Sequence, residues 1–223
     1  MPHKEINFLK SNNVSIGPEG SVLSYDTKTK QGWVKLNDLD SLIWDAFVMN
    51  EDQKFWEHNG LNYKQIRIAL GDYLFGNKPL RGASTITQQL SKNLFLDKSR
   101  SWIRKIKEVF IAKKMEKELG KSRILEVYIN VVEFGPGTFG ISDGANYYFG
   151  KSATELTVSE AIYLTSLLPN PKLYNEAKST GLLTQRDSVE ILKTMDRMLI
   201  KKKIDTTSYE NLRIAPIVFK TNQ

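Results

Sequence analysis

Apolar residues recur along this chain with a helical period. Leu39, Leu42, Ile43, Ala46 and Phe47 stand at i, i+3, i+4, i+7 and i+8, which predicts an amphipathic helix over 39–49 that stops near Asn50-Glu51-Asp52. Further helical stretches follow at 63–75, from Ser84 or Thr85 onward, at 102–119 with Gly120 as its stop, and at 122–132. Two shorter ones are expected at 142–148 and 158–168, the second ended by Pro169-Asn170-Pro171, and a last long one at 186–201. Residues 1–37 are polar and mixed, with Gly17-Pro18 and Gly20 as turn signals, and read as a loop or short strands. Gly135-Pro136-Gly137 with Gly140 reads as a glycine-rich loop. The pattern predicts a mainly α protein of about eight helices with a small β element near one end.

Composition narrows the classes. The chain has 223 residues, 40% hydrophobic and 26% charged, which suits a globular core and not disorder. Without cysteine, a disulfide scaffold, a thiolate zinc site and a Cys nucleophile are excluded. No apolar run approaches the ~20 residues that span a bilayer, and residues 1–13 hold no signal-peptide apolar core. The formal charge of +7 points to an anionic partner: nucleic acid, a membrane surface or a phosphorylated substrate. Residues 92–123 carry eleven basic and four acidic side chains, so the whole excess lies in that stretch.

Three segments could carry chemistry. Glu51-Asp52-Gln53-Lys54-Phe55-Trp56-Glu57-His58-Asn59-Gly60 offers adjacent acids for a general base, against the plainer reading of a solvated helix end. In Arg81-Gly82-Ala83-Ser84-Thr85-Ile86-Thr87-Gln88-Gln89-Leu90-Ser91-Lys92-Asn93, Thr85 and Gln88 fit a capping box, and the free amides of that helix start suit a phosphate. Ser84, Gln88 and Lys92 recur every four residues and so share one polar face. In the third, Arg104 and Glu108 are i, i+4 partners, and Glu108 shares its strip with Ile111 and Met115, while Lys105 and Lys107 point elsewhere by helical spacing. Read singly, the third is a surface ion pair.

Together the segments say more. Glu51-Asp52-x-x-Phe55-x-x-His58-x-Gly60 is followed by Gly82-x-Ser84-Thr85-Ile86-Thr87-Gln88-Gln89-Leu90-x-Lys92-Asn93-Leu94. Arg104-Lys105-x-x-Glu108 and Ile124-Leu125-Glu126-x-Tyr128-Ile129-Asn130 come next. This order resembles the peptidoglycan glycosyltransferases: the transglycosylase domain of class A penicillin-binding proteins and its monofunctional relatives. Phe134-Gly135-Pro136-Gly137-x-Phe139-Gly140, Ala145-x-x-Tyr148-Phe149-Gly150-Lys151 and Leu167-Leu168-Pro169-Asn170-Pro171 are similar too, most of all to the monofunctional biosynthetic members. The resemblance covers 36–174, and no Ser-x-x-Lys acylation motif is present. It divides the chain into a lead-in segment, 1–35, and a glycosyltransferase domain, 36–223.

The resemblance implies a lysozyme-like α-helical lobe with a small membrane-facing jaw. It implies polymerisation of lipid II into β-1,4-linked glycan with inversion and release of undecaprenyl diphosphate. Glu51 falls at the family's general-base position, and Glu108 at its second glutamate, which orients cations or donor. Lys92, Arg100, Arg104 and Lys105 match positions that hold the donor's phosphates, and Ser84, Gln88 and Gln89 match polar residues of the donor site. Asp52, Phe55 and His58 are supporting positions. Lys113, Lys114, Lys117 and Lys121 are left as solvated or membrane-facing charge. No tightly bound cofactor is implied, although a divalent cation, Mg or Mn, can assist the diphosphate. The expected partners are lipid II, the growing glycan strand, the outer face of the bacterial inner membrane and cell-wall synthesis or division proteins, with no nucleic acid. The family's N-terminal membrane helix has no counterpart, so a trimmed chain or a peripheral enzyme is expected.

The chain departs from the family's pattern in three places. Gln53-Lys54 stands where Arg is usual, Ile129 replaces Leu, and Asn50 is more polar than the usual small residue before the acid. A lysozyme-like peptidoglycan hydrolase and a non-catalytic lipid II binder remain as alternatives. The cationic stretch favours transfer from a phosphorylated donor, because a glycosidase's leaving group is a sugar hydroxyl.

Overall fold

The computed structural model describes residues 2–16, 22–26, 32–75, 84–97, 101–171 and 176–220. Its elements in chain order are α1 (His3–Phe8), β1 (Asn13–Ile16), β2 (Val22–Asp26), α2 (Ser41–Glu51), α3 (Tyr63–Phe75), α4 (Ile86–Phe95), α5 (Trp102–Leu119), α6 (Lys121–Val131), β3 (Glu133–Gly135), β4 (Thr138–Phe139), α7 (Gly140–Phe149), α8 (Val158–Leu167), α9 (Glu176–Thr180), α10 (Gln185–Ile200) and α11 (Thr206–Ile214). The mainly α expectation holds. The bounds of α3 and α5 are those the periodicity predicts, and Thr85, Thr157 and Thr184 each close a capping box at the start of α4, α8 and α10.

The core is built around two helices that read differently in sequence. α8 is buried from Ser159 through Leu167, so its faces are alike and its amphipathic signal is weak. It packs on α2 and α10. α4 packs on α5 and α6, which brings the Ser84–Lys92 segment beside Glu108. Phe47, Phe55, Phe134, Tyr128, Tyr148 and Tyr163 are the large side chains sealed inside.

The structure differs from the sequence reading in two places. The glycine-rich loop is a β3–β4 hairpin, with Glu133 opposite Phe139. α1, α9 and α11 were not predicted: α1 and α9 span too few residues for the period to stand out, and α11 buries none of its residues. The lead-in forms short strands, one of the two readings its sequence allowed. β1 and β2 pair antiparallel, and Arg123 of α6 donates to the carbonyls of Leu9 (2.7 Å) and Asn12 (2.5 Å). Asn130 accepts from the Val34 amide at 2.9 Å and donates to the Val34 carbonyl at 2.7 Å, and Glu126 accepts from Trp33 Nε1 and from the Leu36 amide. The Glu126 and Asn130 of the fourth block therefore hold the chain leading to α2.

One glycine is fixed by this packing. Gly140 sits at φ +83°, and a Cβ there would lie 2.5 Å from the carbonyl oxygen of Asn130. Gly140→Ala is expected to cost about 2–3 kcal/mol from the positive φ and the collision together. In a chain this size that lowers the melting temperature by roughly 5–10 °C. A thermal melt unchanged within a degree would show that the α6–α7 junction gives way instead.

Candidate active site

α2 ends at the two candidate acids. Its last turn closes when the Asp52 amide donates to the Val48 carbonyl at 2.9 Å. Glu51 is thereby placed half-buried on the wall of a cleft of about 700 Å³ that also receives Asp52, Ser84, Thr85, Gln89 and Lys92. Glu51 Oε2 accepts from Gln89 Nε2 at 2.8 Å, and Oε1 accepts from Asn50 Nδ2 at 2.9 Å. Burial pushes the carboxyl above its ordinary value, opposed by those two amides and by Arg197, and reinforced by Asp52.

The amide of Gln89 cannot turn freely. Its Oε1 accepts from Tyr128 Oη at 3.1 Å, which presents the NH2 group to Glu51. Tyr128 is fully buried, and burial raises its phenol well above the ordinary tyrosine value, so it remains a donor. Tyr128 stood in the fourth block as a motif letter without a role; its hydroxyl supplies one.

Asp52 does a different job from its neighbour. Both its oxygens face His58 Nε2, at 3.0 and 2.9 Å, and Oδ2 accepts from the Ile86 amide at 3.2 Å. The start of α4 is thus partly occupied by a protein carboxylate and by Thr85 Oγ1, which accepts from the Gln88 amide. The phosphate expected on those amides meets Asp52 there instead. Thr85 Oγ1 also donates to the Gly60 carbonyl at 2.7 Å. Gly60, at φ +83°, lies against the Ala112 backbone of α5, which a Cβ there would approach to 3.3 Å. Phe55 is sealed beneath Lys121, whose ammonium lies 4.3 Å from the ring centre.

Glu108 sits in the opposite electrostatic condition. It is 3% exposed on α5, with Oε2 accepting from Arg104 Nη1 at 3.3 Å and Oε1 accepting from Gln88 Nε2 at 3.2 Å and from Lys105. Lys105 Nζ also donates to Ser84 Oγ at 3.0 Å. Lys92 is exposed on the cleft, but local desolvation holds its ammonium below the ordinary lysine value, with Arg104 and Lys105 adding repulsion while Glu108 and Glu51 oppose it. Among the described residues the Arg104 Nε–H is buried without a hydrogen-bond partner.

The structure therefore brings Glu51, Asp52, Ser84, Gln88, Gln89, Lys92, Arg104, Lys105, Glu108, Phe55 and His58 into one region; Arg100 lies outside the described residues. Three readings are corrected. Lys105 does not point away from Glu108: an i, i+3 pair on α5 and the reach across to Ser84 converge there. Gln88 is not on an open polar face but is 2% exposed. Lys121 is no solvated charge, since it pairs with Glu116 at 2.7 Å over Phe55. Arg197 of α10, on the cleft beside Glu51, was missed: it lies on a helix outside every motif block.

A family model described as Transglycosylase matches residues 19–196. Proteins named biosynthetic peptidoglycan transglycosylase are similar to this chain. That of Shewanella amazonensis is 43% identical over 161 residues, 72% of this chain and 65% of its own. That of Mannheimia succiniciproducens is 40% identical over 176 residues, 79% and 71%, and that of a Marinomonas species 45% over 157 residues, 70% and 69%. The chain spans about two thirds of the length of these curated relatives. Among solved structures, penicillin-binding protein 1A of Haemophilus influenzae aligns with 95% of this chain and 21% of its own, at 20% identity and a TM-score of 0.48.

Proposed function

The chain belongs to the transglycosylase family of peptidoglycan glycosyltransferases, and from that premise we propose that it polymerises lipid II into β-1,4-linked glycan. Glu51 takes the proton from the acceptor sugar's 4-hydroxyl as that oxygen attacks the donor's anomeric carbon. The anomeric centre inverts, and undecaprenyl diphosphate leaves with the electron pair of the broken bond. Lys92, Arg104 and Lys105 receive the diphosphate charge, with Arg100 as the fourth expected cation, and Ser84 and Gln89 line the donor's path. Glu108 and Gln88 hold Arg104 and Lys105 in place rather than touching the reacting atoms.

The observation that carries this reading is the contrast between the two glutamates. Glu51 is met by neutral amides and has a raised proton affinity, which suits a base. Glu108 is saturated by cations and suits a scaffold for a leaving group that departs as an anion. The unpartnered Arg104 Nε–H adds a donor for a phosphate oxygen.

A divalent cation assisting the reaction would be held by the diphosphate's own oxygens. Asp52 is taken by His58 and the Ile86 amide, and Glu108 by Arg104 and Lys105. Among the described residues no group of three or more His, Cys, Asp or Glu side chains is arranged to hold a metal.

No helix among the described residues is long and apolar enough to cross a membrane. α5 nevertheless exposes Trp102 (81%), Ile103, Ile106 and Phe110 within about a quarter-turn of its circumference, with Lys113 on the same side. We infer that this face rests on the outer surface of the inner membrane, where the lipid-linked substrate resides and where such a Lys adds ~1 kcal/mol toward anionic lipid.

Labelled lipid II incubated with the protein is expected to yield long glycan strands. Release of soluble muropeptides from finished sacculi with no polymerisation would replace this reading by the hydrolase. Binding of lipid II with neither product would replace it by the non-catalytic relative.

A further inference from the structure

The Asn50 side chain stands where α2, α8 and α10 meet. Its Nδ2 donates to Glu51 Oε1 and to the Thr165 carbonyl of α8, both at 2.9 Å. Its Oδ1 accepts from Arg197 Nη1 of α10 at 3.1 Å and lies 3.1 Å from Thr194 Oγ1, whose one proton is shared between Asn50 Oδ1 and the Glu190 carbonyl at the same distance. Arg197 Nη1 also reaches the Asn50 backbone carbonyl at 3.4 Å. Every donor and acceptor of the amide is used. Turned over, it would aim its NH2 group at a guanidinium and its oxygen at a carboxylate and a carbonyl, so one orientation is enforced.

We propose that Asn50 and Arg197 are positioning residues for Glu51: α10, through Thr194 and Arg197, locks the Asn50 amide, and that amide holds one carboxylate oxygen while Gln89 and Tyr128 hold the other. The assignment rests on the reading of Glu51 as the base. Arg197 also acts directly, as the cation on α10 beside Glu51. The other charged and titratable groups around Glu51 are Lys92 from α4, Tyr128 from α6 and Asp52 on its own segment, with Lys54 and Lys201 on the same cleft.

The sign follows from the contacts. The Asn50 hydrogen bond and the Arg197 charge both favour the ionised carboxyl against its burial. Removing either favours the protonated form, so a base that must be ionised becomes active only at higher pH.

The test is the pH dependence of lipid II polymerisation by Asn50→Ala, Arg197→Met and Arg197→Lys. Alongside it runs a direct titration of the Glu51 carboxyl by carbon NMR of glutamate-labelled protein, its signal assigned with Glu51→Gln. Asn50→Ala and Arg197→Met are expected to raise the acid limb of kcat/KM, and the titration midpoint with it, by about half a pH unit or more. KM at high pH should stay near the parent's, and Arg197→Lys should return most of the shift. Rates that fall while limb and midpoint stay put would reduce the pair to packing and overturn the proposal. If the midpoint moves as expected but the parent protein polymerises nothing, the positioning role stands and the polymerase reading falls.

Discussion

Glu51→Gln is expected to lower lipid II polymerisation about a thousandfold, within the range by which a positioned general base accelerates a step. Gln keeps the volume of the side chain but has no basic oxygen to receive the 4-hydroxyl proton. The fold should not suffer. Burial raises the proton affinity of Glu51 above its ordinary value of 4.5. A carboxyl raised in this way carries no penalty below the unfolded value, a growing one between the unfolded and folded values, and its full cost above the folded one, so wherever Glu51 is ionised the native state bears that cost. Replacing it by a neutral amide removes that cost. One mismatch remains, because Asn50 and Gln89 both offer NH2 groups to this side chain. The net expectation is a melting temperature at pH 7 equal to or above the parent's, with activity gone. That combination separates a functional residue from a structural one. Activity within tenfold of the parent would remove Glu51 as the base.

The sequence was most legible where information is local. The bounds of α5, the Thr85–Gln88 capping box and the stop of α2 at the acids follow from a 3.6-residue period and from cap chemistry, both of which act within one or two turns. The residues singled out by the resemblance adjoin one another, Gln89 joining Glu51 to Tyr128 and Gln88 meeting Glu108, whereas Glu126 and Asn130 of the fourth block turn to the lead-in. Contacts between helices were invisible to spacing alone. Lys105 and Glu108, three residues apart on α5, are neighbours by helical spacing, so the expectation that Lys105 points elsewhere misread the period, but no spacing shows the reach of Lys105 across to Ser84. Gln88 counts as polar surface until α5 covers it. Arg197 is one of many Lys and Arg residues in the chain, and nothing in its neighbours says that α10 lays it on Asn50. The excess charge of 92–123 behaves in the same way: some of it faces the cleft, while Lys121 and Arg123 spend theirs on Glu116 and on the lead-in carbonyls.

Glu108→Ala is expected to damage stability and activity together, for one electrostatic reason. Glu108 is 3% exposed and is shared by Arg104, Lys105 and Gln88, with Lys92 nearby. Removing it leaves Arg104, whose side chain is only 17% exposed, without its anion, and leaves the buried Gln88 amide without an acceptor. Loss of one partner from a buried ion pair costs ~3–5 kcal/mol, and the low end applies here because Lys105, 40% exposed, can turn to water. At roughly 2–4 °C per kcal/mol the melting temperature falls by some 6–12 °C. The three cations then repel one another without a centre to gather them, so polymerisation should drop by about a hundredfold or more even below that melting point. An anion can take the vacated place. Inorganic pyrophosphate, which carries the leaving group's charge without its lipid, should therefore raise the melting temperature of Glu108→Ala more than that of the parent, because in the parent Glu108 already competes for the same cations. A melt within a degree or two of the parent's, or equal stabilisation of both proteins by pyrophosphate, would mean that Arg104 and Lys105 do not depend on Glu108 for their place in the cleft.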